Sequence, residues 1–260
     1  GQVKAFIEDS VVTATEDVHG SAGEVTVSVV NSAEIDALVR AIAIAAAVSF
    51  KGSAPAVAVG VSIARNLIGW REYGGADALD VLAYIRDTEE GGDTRVVADH
   101  GVSVTADSRS RIGAMVDAAA VALSMSTSSS ALAATGAGVW TDNSMASNVH
   151  AYIDGASVVD TGDGDLTVTA DDSSTIVADA RAASVAAALS LNSAISVAIG
   201  ASLAFNTIAN DIQAYIADVP SILTSNTDAG GVVTGDITVR ATDDAAIDAL
   251  VVAAAVSLAV

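Results

Sequence analysis

One phrase, a small residue, an aromatic ring, an aliphatic residue and an acid, is written four times along this chain. It reads KAFIEDS at 4–10, LAYIRDT at 82–88, HAYIDGA at 150–156 and QAYIADV at 213–219. Its alanines, Ala5, Ala83, Ala151 and Ala214, lie 78, 68 and 63 residues apart. Self-similarity at such a period means that each unit is one supersecondary element and that stacking the units makes the core. Each phrase is followed by an acidic, Gly-containing loop and a short alternating run: GEVTVSV (23–29), GVSVTAD (101–107), GDLTVTA (164–170), GDITVRA (235–241). Next comes an Ala-rich run ending in AVSF, ALSM, ALSL or AVSL, marked by Ser49, Ser124, Ser190 and Ser257. Three units then carry a small-residue run ending in Asn66, Asn143 or Asn206, while the fourth stops inside the preceding motif, as expected of a window on a longer array. The units are 1–78, with an insert GWREYGGADALD (69–80) at its end, then 79–146, 147–209 and a partial 210–260.

The Asn-terminated runs decide between helix and strand. Stepping back by two from the asparagines gives Ala64, Ser62, Gly60, Ala58 and Ala56 in the first unit, Thr141, Val139, Ala137, Thr135 and Ala133 in the second, where Val139 is bulky and the large face is looser with Trp140 and Leu132, and Ala204, Ser202, Gly200, Ala198 and Ser196 in the third. The intervening positions are Ile63, Val61, Val59 and Val57, then Leu203, Ala201, Ile199, Val197 and Ile195. Small and large alternate at period two, which a strand sorts onto opposite faces and a helix would spread around its axis. Frequent Val, Ile and Thr point the same way.

The fold expected is all-β: a stacked-rung β-solenoid of multilayered parallel sheets with about four strands per unit, stacked antiparallel hairpins being the alternative. Faces of Ala, Ser and Gly are expected to meet across the turns KGSAP (51–55), STSSS (126–130) and LNSA (191–194), closer than the usual sheet separation of about 10 Å. Because the long strands are apolar on both faces, their bulky faces are expected to be covered by the AYI-type and GDITVRA-type strands, leaving mainly turns in solvent. In-register stacking would lay Phe6, Tyr84, Tyr152 and Tyr215 into an aromatic column and Asn66, Asn143 and Asn206 into an amide ladder.

Composition sets further limits. Half the chain (52%) is hydrophobic but only 3% is aromatic, so the core must be filled by many Ala, Val, Ile and Leu side chains. A net charge of −21 repels phosphates and anionic headgroups, which argues against a nucleic-acid partner. With no Cys, a disulfide frame, a thiolate metal site and a Cys nucleophile are excluded. The apolar stretch from Ser184 to Phe205 is long enough for a spanning helix, but Ser, Asn and Gly interrupt it, no basic flank or aromatic belt frames it, and its copies carry Asp117 or Lys51, so no membrane span is read.

The pattern GD-(L/I)-TV-x-A, A-(V/L)-S-(F/M/L), VAIGASLAFN and AYI resembles the repeats of giant bacterial surface proteins of the filamentous-adhesin or hemagglutinin-like type, including leukotoxin-type filamentous adhesins. The resemblance covers the chain apart from the 69–80 insert. It implies a β-solenoid, secretion, extracellular or cell-surface display and a role in adhesion or as a fibre. The expected partners are further copies of its own repeats or of the chain, and cell-surface or matrix glycans.

No catalytic constellation emerges. His19, His100 and His150 lack metal or triad spacing, and the paired acids Glu89 with Glu90, Asp171 with Asp172 and Asp243 with Asp244 sit at turns, where Asp bonds locally. A carbohydrate-active β-helix would need charged groups projecting together from one sheet face, and Arg109, Arg111 and Arg181 are scattered. The one ion candidate is DTGDGD (160–165), whose Asp160, Asp163 and Asp165 offer hard oxygens for Ca²⁺, although without EF-hand or β-roll spacing. The functional expectation is a non-enzymatic structural module of a long fibre or adhesin, or a filament subunit joined through open rungs.

Overall fold

A computed structural model describes residues 1–15, 23–89, 92–228 and 231–260, of which 226–228 and 231–233 as backbone alone. Its regular elements are all strands. Parallel pairing joins each unit to the next, in chain order, in five sheets. Three are short. The first holds Gln2–Glu8, Leu79–Arg86, Ser147–Asp154 and Asp211–Ala217; the second, Val11–Ala14, Arg95–Ala98, Val158–Asp160 and Ile222–Leu223; the third, Val25–Asn31, Val102–Ser108, Leu166–Asp172 and Ile237–Asp243. Two are long. One holds Glu34–Ser49, Arg111–Ser126, Thr175–Ser190 and Ala246–Ala259, and the other Ala54–Ile68, Ser130–Met145 and Ser193–Ile208. The chain is thus a parallel β-solenoid of repeats in the 60–80-residue range, and stacked antiparallel hairpins are set aside. Each full unit gives five strands rather than four, because the acidic loop after each AYI phrase contains a short strand of its own.

The three short sheets enclose one column. Its core runs through Val81, Ala83 and Ile85 of the first sheet, Val96 and Val159 of the second, and Val104, Leu166 and Val168 of the third, all inaccessible to solvent. Alternation supplies this directly: in Leu166–Asp172 every second side chain points in. The corner between the first two sheets is turned by a left-handed residue in three units, Asp9, Gly155 and Asp218 at φ 48°, 71° and 51°, whereas the second unit turns it at Asp87 without one. Asp and Gly tolerate that region better than other residues.

The two long sheets pack on each other through a separate core that is almost entirely alanine, including Ala56, Ala118, Ala122, Ala133 and Ala186. The first strand of this hairpin is 16 residues long in each of the first three units, against seven in the third sheet, so the pair projects from the column as a two-layer fin. Small residues let the layers approach closely. A β-carbon added at Gly60 would lie 2.7 Å from the Ala119 carbonyl oxygen, and at Gly200 it would lie 2.6 Å from that of Ala254. The same closeness lets interior serines reach the opposite backbone: Ser62 Oγ donates to the Asp117 carbonyl at 2.6 Å and Ser202 Oγ to that of Ala180 at 2.8 Å.

One expectation is corrected. The bulky outer faces of the fin are uncovered, because the AYI-type and GDITVRA-type strands turn inward to make the column instead; Ile42 and Ile44 are each 74% exposed and Val59 63%. The serine marks are out of register. Ser49 pairs with Ser126 and Ser126 with Ser190, whereas Ser124 pairs with Ala47 and Ala188, and Ser257 with Ala186. These slips are of two and four residues. Because strand side chains alternate with period two, even slips keep every side chain on its own face, so the motif can drift while the sheet stays in register.

The insert forms a small antiparallel hairpin, Trp70–Arg71 with Gly75–Ala76. Its last two residues, Leu79 and Asp80, belong instead to the second unit's first strand, opposite Ser147 and Asn148.

Candidate functional site

Side chains that repeat at one register position are the first candidates. Phe6 pairs in register with Tyr84, Tyr84 with Tyr152 and Tyr152 with Tyr215. Their ring centroids are 5.2, 5.0 and 5.0 Å apart with interplanar angles of 10° or less. The spacing is set by the strand separation, which leaves near-parallel stacking as the way four rings share a column. Arg86 lies over the Tyr84 ring at 5.3 Å and donates to Glu8 through Nε and Nη2 at 3.1 and 2.5 Å. That bond raises the Arg86 pKa.

Burial in the stack raises the pKa of Tyr84, Tyr152 and Tyr215, with neighbouring acids adding to the shift. The sign follows from linkage. A phenol with a raised folded pKa contributes stability below the unfolded value of about 10 that is lost as pH rises through the folded one. We expect tyrosinate absorbance in a pH titration to rise later than in the urea-unfolded chain, and the unfolding midpoint to fall above about pH 10. Superimposed titration curves would refute the shift.

The amide ladder sits in the fin beside the column. Asn66 Nδ2 donates to Asn143 Oδ1 at 2.7 Å, and Asn143 Nδ2 donates to Asn206 Oδ1 at 2.8 Å. Asn143 is inaccessible to solvent. Next to it a mixed cluster of Ile68, Ile112, Met145, Ile176 and Ala178 closes the junction between column and fin.

The acidic turn spends its carboxylates separately. Asp160 Oδ1 accepts from the Gly162 amide at 3.1 Å, Asp163 Oδ1 lies 2.6 Å from His100 Nδ1, and Asp165 Oδ1 accepts from the Asp236 amide at 2.8 Å. His100, Asp163 and Asp165 line an open cleft of about 430 Å³ together with Glu24. Among the described residues no group of three or more His, Asp or Glu side chains is placed to hold a metal ion.

Asp172 and Asp243 are bonded locally in the same way. Buried Asp172 accepts from Ser174 Oγ at 2.7 Å and from Asn210 Nδ2 at 2.8 Å, which pins a corner, and Asp243 accepts from the Ala245 amide at 3.0 Å. His150 Nε2 lies 3.4 Å from Asp211. His19 and Glu90 lie outside the described residues.

The feature that sequence reasoning missed is the pair of apolar fin faces. On one face Arg40 pairs with Asp117 at 3.2 Å, and Arg111 bridges Glu34 and Asp36 at 3.1 and 2.8 Å; on the other Arg65 pairs with Asp142 at 3.1 Å. All of these inter-rung ion pairs lie on the half of the fin nearer the column. Beyond them the outward positions run Ile42, Ile44, Ala46, Val48, Phe50 on one face and Ile63, Val61, Val59, Val57, Pro55 on the other. The tip is polar: Ser126 Oγ donates to the Gly52 carbonyl at 2.8 Å and Asn192 Nδ2 to that of Ser128 at 2.9 Å. The signal was present in the alternation, which assigns the large residues to one face of each strand. It does not say whether another layer covers that face.

Comparison with protein-family models, with curated proteins and with solved structures finds no match to this chain.

Proposed function

We propose that the chain is a non-enzymatic structural module of a long extracellular or cell-surface fibre, in which stacked rungs form the shaft. The reading is carried by the unbroken register: all five sheets add strands in chain order, each strand parallel to its counterpart in the unit before, so each further rung adds by the same rule. Proportion matters here. Four rungs at about 4.8 Å extend only ~19 Å, whereas a 16-residue strand at about 3.3 Å per residue extends ~53 Å. The described unit is wider than it is long, and a shaft requires many rungs.

A filament subunit joined end to end is the second reading, favoured by edge strands of up to 16 residues whose backbone groups can template a further strand. Adhesion through glycans would use the column's loops or its acidic cleft.

Small-angle scattering of the chain and of a variant with residues 147–209 duplicated tests the shaft. One added unit is expected to lengthen the particle by about 4.8 Å at constant cross-section. Concentration-dependent fibres from the 260-residue chain would favour the subunit reading. A particle that grows equally in all directions would overturn both.

A further inference from the structure

The fin is built with the opposite polarity from a water-soluble sandwich. Its interior holds small and hydroxylated residues, Ala, Gly, Ser62, Thr135 and Thr141 among them, while its outside holds Ile, Val, Leu and Met. Large apolar groups outside and small ones at the packing interface are what lipid demands, since acyl chains compete for the bulky groups and only close backbone approach holds the layers together. In water the same arrangement exposes on each face a contiguous apolar band about 30 Å tall across three or four rungs, roughly 400–600 Å², and every further rung enlarges it.

The dimensions name the occupant. On one face the uninterrupted apolar band runs from Ile42 to Phe50 and on the other from Pro55 to Ile63, nine residues each. At about 3.3 Å per residue this is ~30 Å, the thickness of a bilayer's hydrocarbon. Its two borders are polar: ion pairs on the column side, serines with Lys51 and Asn192 at the tip. Aromatic side chains stand at those borders, Trp140 and Phe205 near the column and Phe50 near the tip, where interfacial rings settle. A partner protein or a second fin would explain an apolar face, but not a band of this height bounded in this way on both faces.

We infer that the fin inserts tip-first into the hydrocarbon of a lipid bilayer, holding the column along the headgroup surface. The spanning element is a two-layer wall of strands, so an argument against a helix from interrupting Ser and Gly does not bear on it; those residues face its interior. Backbone groups within the wall are paired rung to rung, but the outermost strands would leave unpaired groups in lipid, which is costly. Insertion is therefore coupled to edge-to-edge joining of rungs between copies. The net charge of −21 selects a zwitterionic surface. This inference stands apart from the shaft reading, since scattering of the lipid-free chain tests that one.

The test is flotation with phosphatidylcholine vesicles, followed by quenching with lipids brominated near the headgroup or near the bilayer centre. Trp70→Phe leaves Trp140 as the sole indole, and Trp70→Phe/Trp140→Phe/Leu123→Trp places one in the middle of the opposite face. Flotation is expected, with Trp140 quenched more by shallow bromine and the indole at 123 more by central bromine. Val121→Asp/Val185→Asp, which points outward and leaves the column's tyrosine titration unchanged, is expected to cut the floated fraction about tenfold or more. Three results would overturn the inference: no flotation; the same shallow preference at both depths, meaning flat adsorption; or lipid-free particles with fins stacked on one another.

Discussion

Gly60→Val is expected to destabilise the chain by about 3 kcal/mol, the upper end for overpacking, read as a lowered urea midpoint. At this position the two fin layers come closest: even a single β-carbon would sit 2.7 Å from a main-chain oxygen, and backbone cannot step aside as a side-chain end can. The layers would separate around the valine. Ser62, two residues away, would then lose its reach to the Asp117 carbonyl. Gly136→Val is the matched control. Gly136 pairs in register with Val59 but faces outward, with nothing within 4 Å of an added β-carbon. Its replacement is expected to change stability by less than about 0.5 kcal/mol, helped by the better strand propensity of valine. Equal effects at the two sites would mean that the layers do not approach as described.

The contrast between those glycines shows what the sequence made legible. Counting by two from Asn66, Asn143 and Asn206 placed Gly60 and Ala137 on one face and Gly136 on the other, and the register pairs them in that way. The aromatic column and the amide ladder were likewise readable, because parallel in-register stacking leaves identical residues no other neighbours. What was not legible was which sheet covers which. A strand such as VAVGVSI states that it has a small face and a bulky face, and the usual inference is that a bulky face is buried. The short strands have apolar faces of their own, and Val81, Val96 and Val104 satisfy one another around the column instead of covering the fin. Burial by a neighbouring layer is a property of topology, which residue alternation does not encode. The acidic turn failed differently. Asp160, Asp163 and Asp165 lie within the one turn 160–165, but each takes a separate hydrogen bond, and proximity along a turn did not become convergence on a point.

Asn143→Ala should cost about 3 kcal/mol, because one truncation orphans two groups at once. Asn66 loses the acceptor for its Nδ2 and Asn206 loses the donor to its Oδ1; Asn66 is buried and Asn206 half-buried. Each unpaired buried polar group costs about 1–3 kcal/mol, whereas removing partners together can be nearly neutral. The triple variant Asn66→Leu/Asn143→Leu/Asn206→Leu therefore separates a cooperative ladder from three independent turn residues. If the amides serve one another, the triple is expected to cost less than the single Asn143→Ala, since no rung is left with an unanswered amide. If each instead holds its own local turn, the three losses should add, and the triple should be the least stable of the set. The second outcome would reduce the ladder to a coincidence of register. The first would make it a device that favours like rungs over unlike ones, which a repeat array needs wherever units differ in length by as much as the first and third do here.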